Sequence, residues 1–303
     1  MIKRMNRYFK TSLVTFLVFS SYINGLGQHA LLEQQHWIHG SANCQTNQDS
    51  LIQVVRYNEN TWILRQNKCI HYEAPFMFLF IGQAKAMLVD TGATEDEAKF
   101  PLYRTVRNIL LQFETKSTGS LPLLVVHSHG HHDHWAGDGQ FRGKSNVVVT
   151  GLTLEDVKDI YGIKHWPEDQ GKIDLGNRVL DIIPTPGHDA SSIAFYDRST
   201  KLLLTGDTFY PGRLYVRDWE AFRKSIARLL EFTRQHEISY ILGNHIEMST
   251  TPGVDYPTGS TFHPHEQALP LTIPDLQSLN IALEKLGDKP RRAVHDKFII
   301  EPK

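Results

Sequence analysis

The sequence predicts an α/β fold in which two packed sheets carry helices on their outer faces. Two observations lead to this prediction. Predicted strands alternate with predicted helices, and the alternation repeats in two halves of the chain that resemble each other. Clusters of histidine and aspartate also begin where predicted strands end, and ligand sites in α/β sheets usually lie at strand ends. The candidate site is therefore expected in loops gathered along one edge of the sheets.

The first half of the chain is predicted to form two β-hairpins, two further strands and two helices. The near-continuous apolar run 121–127 favours a buried strand. Helical spacing of apolar residues covers 95–113, and Thr153 can cap a helix that runs to Ile160, with Asp156 at its third position. The strands of this half are predicted at residues 51–57, 61–65, 76–81, 86–90, 121–127 and 147–149.

The second half repeats this order of elements. Residues 219–234 have the amphipathic pattern of a helix, and a late helix is predicted over 273–286. The tail 293–300 is predicted to be an edge strand. The other strands of this half are predicted at residues 179–183, 192–196, 201–204 and 240–242.

The densest group of metal-binding side chains follows the predicted strand 121–127, where residues 128–137 read SHGHHDHWAG. His188, Asp207 and His245 follow later strands in the same way. Imidazole and carboxylate suit zinc, iron or manganese. A single structural zinc takes four ligands and would leave several of these side chains unused, whereas two metals about 3.5–4 Å apart with a bridging carboxylate and hydroxide use seven. The pattern predicts a metal-dependent hydrolase.

The segment 128–137 resembles the His-x-His-x-Asp-His signature of the metallo-β-lactamase superfamily. The motifs LVDTG at 88–92, TPGH at 185–188 and TGD at 205–207, followed by His245, match the other motifs of that family in the same order. The resemblance implies a four-layer αββα sandwich, an α/β fold of two packed mixed sheets with helices outside. It spans roughly residues 50–250 and is specific as a set of motifs rather than through any one of them.

The resemblance also implies two metal sites that share a bridging carboxylate. The expected cofactor is a pair of zinc ions, or iron or manganese in their place. Asp133 would also be catalytic, since it can accept the proton of the nucleophile, and Asp90 would orient the histidine loop through hydrogen bonds. The implied ligands are His129, His131 and His188 for the first metal, Asp133, His134 and His245 for the second, and Asp207 as the bridge.

The predicted function is hydrolysis of a small-molecule ester, thioester, lactone or amide by a hydroxide that bridges the two metals. Asp207 favours the glyoxalase II-like general hydrolases, because true β-lactamases of the family usually have Cys or Ser at this position. Three alternatives stay open: a β-lactamase-like enzyme, a phosphodiesterase, and a catalytically inactive metal-binding scaffold. Two tightly bound metals without turnover would favour the scaffold.

The N-terminal segment 1–27 has the pattern of a secretory signal peptide. Basic residues precede the apolar run 13–19, and Gly25 and Gly27 are small residues at the positions that a signal peptidase reads. Residues 28–303 would then form a single domain that is periplasmic or secreted, with no stable membrane anchor. The alternative is an uncleaved N-terminal anchor.

The cysteine count and the charge balance limit the compartment and the partners. The chain contains two cysteines, Cys44 and Cys69, which would form either one disulfide or two buried thiols. With 32 basic and 33 acidic residues and no basic run, the composition does not favour a nucleic-acid partner. A small-molecule substrate is the expected partner.

Four histidines match no ligand position of the family. His127 and His132 are predicted to lie in the loop or behind the ligands, and His263 and His265 in a proline-containing surface loop rather than at a further metal site.

Four other polar residues have two interpretations each. Tyr210 and Tyr215 are either donors to a developing oxyanion or packed aromatic residues, and Arg213 and Glu247 are either substrate contacts or an ion-paired rim.

Overall fold

A computed structural model describes residues 32–114 and 119–303. Its first sheet is mixed, because β1 to β4 pair antiparallel while β4, β5 and β6 run parallel. The apolar runs predicted as strands in the first half all form strands of this sheet. In spatial order, which is also chain order, the strands are β1 (Ile52–Asn58), β2 (Thr61–Gln66), β3 (Phe76–Ile81), β4 (Ala86–Val89), β5 (Leu123–Val126) and β6 (Val147–Val149).

The second sheet is also mixed, with β10 and β12 parallel and its other pairs antiparallel. Its strands, in spatial order, are β13 (Pro270–Leu271), β12 (Tyr240–Gly243), β10 (Leu202–Gly206), β9 (Ile193–Asp197), β8 (Val179–Pro184) and β7 (Gly171–Asp174). The short strands β7 and β13 were not predicted from the sequence.

The layers of the predicted αββα sandwich pack on one another through three apolar cores. Between the sheets, Phe78 and Phe80 pack in one cluster with Leu180 and Phe195. The outer face of the first sheet buries α1 (Leu102–Leu110), and that of the second sheet buries α4 (Trp219–Gln235) and α5 (Ile273–Leu286). Strand β3 is buried along its whole length because both of its faces contact a core. Two short helices, α2 (His132–Trp135) and α3 (Leu154–Tyr161), complete the fold.

A third, smaller sheet lies outside the sandwich. It contains β11 (Arg213–Val216), β15 (Ile299–Pro302) and β14 (Ala293–Val294), with β15 in the centre and parallel to β11. The prediction of one edge strand over 293–300 was wrong, since the chain folds back between β14 and β15. Strand β11 was not predicted from the sequence.

The helix boundaries follow local chemistry. The prediction that a helix begins at Glu95 was wrong: α1 begins at Leu102, directly after Pro101, and a proline disfavours helical geometry in the residue before it. The predicted capping role of Thr153 is confirmed, since its side chain accepts from the Asp156 amide in a capping box. The predictions for α4 and α5 are confirmed to within one residue.

A disulfide joins Cys44 and Cys69, whose Cα atoms lie 5.1 Å apart. It ties the segment before β1 to the loop between β2 and β3. The predicted signal segment 1–27 lies outside the described residues. Across residues 32–114 and 119–303, none of the helices has the length and apolar character needed to cross a membrane.

Candidate metal centre

The candidate site lies where five strands end at one edge of the sandwich. Asp90 follows β4, residues 127–137 follow β5, and His188, Asp207 and His245 follow β8, β10 and β12. Because these strand ends from both sheets meet at the same edge, ligand atoms from distant parts of the chain converge. The structure places the seven predicted ligands in two adjacent groups, His129, His131 and His188 in one and Asp133, His134, Asp207 and His245 in the other.

The first group consists of three imidazoles. The Nδ1 atom of His131 lies 2.9 Å from the Nε2 atoms of both His129 and His188. His188 donates through Nδ1 to the Tyr215 carbonyl at 2.8 Å, so neutral His188 presents the Nε2 lone pair to its neighbours. Several ring nitrogens facing one point are better satisfied by a cation than by one another.

The second group combines two imidazoles with two carboxylates. Asp133 Oδ2 lies 3.3 Å from the Nε2 atoms of both His134 and His245, and these two nitrogens are 3.5 Å apart. His245 donates through Nδ1 to the Glu73 carbonyl at 3.1 Å, which directs its other nitrogen inward. Ligand atoms about 3.3 Å apart are what a tetrahedral zinc with bonds of about 2.0 Å requires.

Asp207 lies between the two groups. Its Oδ2 atom is 3.7 Å from His188 Nε2 and 3.5 Å from His134 Nε2, while Oδ1 is 3.3 Å from His245 Nε2. Oδ1 is buried and has no hydrogen-bond partner within the described part of the chain. A buried carboxylate oxygen without a donor is unfavourable unless a cation satisfies it, so the donor set fits divalent metals.

The two groups differ in charge. Burial lowers the pKa of His129, His131 and His188, so these rings favour the neutral form that a metal binds. Burial also opposes charge on His134 and His245, but the adjacent carboxylates outweigh it and raise the pKa of both rings. The second group therefore attracts positive charge, which a metal ion would supply.

Asp90 connects the histidine loop to the rest of the site. It is fully buried and has a left-handed backbone with φ of 67°. Its Oδ1 atom accepts from the Ser128 amide at 2.7 Å. Its Oδ2 atom accepts from Ser128 Oγ at 2.8 Å, His134 Nδ1 at 2.9 Å and Asn244 Nδ2 at 2.6 Å. Asp90 thus contacts both the start of the histidine loop and the His134 ring.

Gly187, next to His188, allows a close approach of two elements. Its φ is 139°, and an added Cβ atom would lie 2.4 Å from the Cα atom of Phe222 in α4. A side chain here would push α4 away from the His188 loop, so glycine is required at this position.

A cavity of about 350 Å³ opens above the two groups. Five predicted ligands form its floor. Its walls come from the loop before β3, from the segments after β10 and β12, and from the third sheet. The floor consists of His131, Asp133, His188, Asp207 and His245, and the wall of Glu73, Tyr210, Tyr215, Arg217, Glu247 and Lys303.

Comparison with known proteins decides the family. The sequence model of the metallo-beta-lactamase superfamily matches residues 73–260, which is more than half of the chain and contains all seven predicted ligands. The chain belongs to the metallo-beta-lactamase superfamily. The predicted family membership and sandwich fold are thereby confirmed.

The relatives include proteins named as a hydrolase and as a thioesterase. A hydroxyacylglutathione hydrolase from Mesorhizobium japonicum is 29% identical over 103 residues, covering 33% of this chain and 40% of that protein. The acyl-coenzyme A thioesterase MBLAC2 of Homo sapiens is 26% identical over 205 residues, covering 56% of this chain and 72% of that protein. The match to the first relative therefore spans less than half of its length.

A crystal structure of the DIM-1 metallo-beta-lactamase exposed to ceftazidime shares the fold. It superposes with a TM-score of 0.50 at 14% sequence identity, covering 80% of this chain and 100% of that one. At this identity the likeness concerns the fold alone.

The four histidines that match no ligand position of the family lie outside the two groups. His127 is buried with Nε2 2.9 Å from Asp138 Oδ1, and His132 is exposed. The expectation of a surface loop was wrong for His263, which is buried and stacks on Tyr256 with ring centroids 4.0 Å apart. Within residues 32–114 and 119–303, neither His263 nor His265 belongs to a group that could hold a metal.

The two tyrosines differ. Tyr210 is a packed aromatic residue, and its buried hydroxyl donates to the Arg213 carbonyl. Tyr215 is half-buried at the cavity, where its hydroxyl oxygen accepts a hydrogen bond from Arg213 Nε at 3.0 Å. Arg213 and Glu247 are ion-paired at 2.7 Å rather than free to meet a substrate.

Several residues of the site were not predicted from the sequence. Glu73 holds His245 through a backbone carbonyl, for which no side-chain pattern exists. Ser128 and Asn244 flank predicted ligands, and their small polar side chains next to His129 and His245 were a usable signal. Arg217 and Lys303 carried no local signal, because the pairing of β11 with β15 brings them to the cavity.

Proposed function

We propose that this protein is a hydrolase that uses two divalent metal ions to cleave a small thioester, or a related ester, lactone or amide. The observation that carries the proposal is the position of Asp207, whose Oδ2 atom lies 3.7 Å from His188 Nε2 of the first group and 3.5 Å from His134 Nε2 of the second. The names of the relatives support a thioester as the first choice among the four bond types.

The proposed ligands are those implied by the sequence. His129, His131 and His188 would hold one ion, and Asp133, His134 and His245 the other, with Asp207 shared. Imidazole and carboxylate donors fit zinc, and iron or manganese can bind the same set. Two such ions would supply an activated water near neutral pH and polarisation of the scissile carbonyl.

Asp133 is the proposed proton acceptor. Its side chain is 22% exposed and lines the cavity, unlike His134 next to it. Burial alone would raise the pKa of Asp133, but the neighbouring His134 and His245 lower it, so the carboxylate stays ionised. An ionised carboxylate on the cavity floor can take a proton from the attacking water and return it to the leaving atom.

The proposed location is outside the cytoplasm, in the periplasm or the medium. The Cys44–Cys69 disulfide supports this, because such bonds persist in oxidising compartments. The basic and apolar pattern of residues 1–27 agrees with export. Edman sequencing of the exported protein tests the location, and a mature chain that still begins at residue 1 would contradict cleavage.

The decisive experiment measures metal content and hydrolysis on the same preparation. Chromogenic thioester, ester, lactone, lactam and phosphodiester compounds are compared on protein whose metals have been counted. We expect two metals per chain, fastest cleavage of the thioester, loss of turnover after chelation and recovery when zinc is restored. Two bound metals without turnover of any compound would instead identify a scaffold, and fastest cleavage of the lactam a β-lactamase.

A further inference from the structure

The third sheet supplies one side of the cavity. In the parallel pair β11–β15, Val216 is in register with Pro302, and the Lys303 amide donates to the Val216 carbonyl at 2.9 Å. Arg217 and Lys303 therefore follow their strands side by side. Tyr215 and Arg217 are two residues apart, so they face the same way. All three line the cavity.

Backbone bonds tie this part of the wall to the first group of ligands. The Arg217 amide donates to the Gly187 carbonyl at 2.9 Å, and the Tyr215 carbonyl accepts from His188 Nδ1 at 2.8 Å. Lys303 Nζ lies 4.4 Å from the centroid of the Tyr215 ring, a cation–π contact. The two cations are thus placed beside His188, not beside His245.

The charges of Arg217 and Lys303 are not paired with a carboxylate of the described residues. Among the described residues, neither Arg217 nor Lys303 has a carboxylate or a hydrogen-bond acceptor for its side chain. By contrast, Arg213 behind the wall is bonded to Glu247 at 2.7 Å and to Asp255 at 2.6 Å.

The opposite side of the cavity carries a negatively charged side chain. Glu73 lines it there, and its carbonyl accepts from His245 Nδ1. The cavity is therefore polarised, with two unpaired cations on the His188 side and a carboxylate on the His245 side. An anionic ligand group is attracted to the first side and repelled by the second.

We propose that Arg217 and Lys303 bind an anionic oxygen group of the substrate, a carboxylate or a phosphate, so that the protein selects anionic over neutral substrates. This inference rests on the proposed hydrolysis and names the class of substrate for it. The Arg217 guanidinium can bind two oxygens at once, while the Lys303 ammonium adds a point charge that Tyr215 keeps in place. The reacting carbonyl would then lie over the floor, between the cations and Glu73.

The kinetic test uses three thioesters that share one acyl group. Their leaving thiols have equal length and end in a hydroxyl, a carboxylate or a phosphate. The measured quantity is the ratio of kcat/KM for each anionic substrate to that for the hydroxyl substrate. We expect this ratio to fall about fivefold in Arg217→Gln and in Lys303→Gln, and about 25-fold in the double variant, mainly through KM. The larger of the two ratios identifies carboxylate or phosphate as the natural group.

Lys172→Gln is the matched control. Lys172 is an exposed cation on the edge strand β7 and does not line the cavity. The ratio should not change in this variant. A fall in the ratio equal to that of Lys303→Gln would mean that overall charge, and not the two cations, attracts the substrate, which would overturn the inference.

A binding measurement separates this inference from the proposed function. Calorimetry compares 3-mercaptopropionate with 3-mercaptopropanol, which differ only in the terminal carboxylate, on wild type and on the double variant. Tighter binding of the carboxylate to wild type, and loss of that preference in the double variant, supports the inference even if no thioester is cleaved. Equal affinity of wild type for the two thiols overturns it, even if thioesters are cleaved rapidly.

Discussion

The floor and the wall of the cavity are built in different ways. Floor residues such as Asp207 and His245 follow strands of the sandwich and lie buried, and His245 donates a hydrogen bond to the Glu73 carbonyl. Wall residues such as Arg217 and Lys303 come from the third sheet, lie exposed, and have unpaired charges in the described structure. Side chains held in fixed positions suit the chemical step, because that step depends on precise geometry. Exposed side chains with unpaired charges are available to bind a ligand. Changes to the floor should therefore remove turnover, and changes to Arg217 and Lys303 should alter substrate preference.

The largest effect is expected on the floor, for Asp133→Ala. We expect kcat/KM to fall about 1,000-fold, because the proposed proton acceptor is lost. Metal content should fall as well, since Asp133 Oδ2 lies 3.3 Å from the Nε2 atoms of both His134 and His245. Turnover, metal content and the melting temperature are measured together, and the protein should stay folded.

His132→Ala is the control for that variant. His132 precedes Asp133 in the same helix but is exposed, 3.4 Å from Glu95 and outside the two groups of ligands. We expect little change in turnover. Near-normal turnover of Asp133→Ala, or an equal loss in His132→Ala, would refute the role of Asp133.

The next effect concerns the loop that carries Glu73. The Cys44–Cys69 disulfide spans 25 residues of sequence, and removing a cross-link of this size costs about 3 kcal/mol. The variant with both cysteines replaced by serine should lose this free energy of unfolding in urea. Because Glu73 lies four residues after Cys69 and holds His245, metal affinity should fall too. Unchanged stability would show that the bond does not fix this loop.

A smaller effect is expected for Asp90→Asn, which changes the support of the floor without changing its ligands. Asparagine tolerates the left-handed backbone of this position, so the variant changes the charge and the acceptors of the side chain without straining the backbone. With only one accepting oxygen, the amide cannot serve the Ser128 and His134 donors together. Metal affinity should fall about 30-fold, as measured by competition with a chromophoric chelator. Asp96→Asn, at an exposed aspartate, should leave it unchanged.

Much of the candidate metal centre could be predicted because its signal is local. The spacing of His129, His131, Asp133 and His134 after an apolar run is visible in a few residues, and later strands mark His188 and the rest by the same rule. The helices α4 and α5 were predicted for a similar reason, since amphipathic spacing is a property of one segment.

The wall could not be predicted because its signal is not local. Glu73 acts through its carbonyl, and every residue has one. Arg217 and Lys303 are two of 32 basic residues, and only the pairing of β11 with β15 sets them apart. The false helix start at Glu95 has a local cause, because apolar spacing was given more weight than Pro101.

The smallest expected effect compares two phenols of the wall. The Tyr215 hydroxyl lies at the cavity and accepts a hydrogen bond from Arg213, so its O–H is available to a substrate. The Tyr210 O–H instead donates a hydrogen bond to the Arg213 carbonyl. Tyr215→Phe should therefore lower kcat about fivefold, the loss of one hydrogen bond to the reacting substrate. Tyr210→Phe should instead lower the free energy of unfolding by about 1 kcal/mol, because a buried backbone carbonyl loses its donor. Steady-state kinetics and urea unfolding of both variants distinguish the two roles. A larger fall of kcat in Tyr210→Phe than in Tyr215→Phe would mean that the third sheet does not face the reacting group.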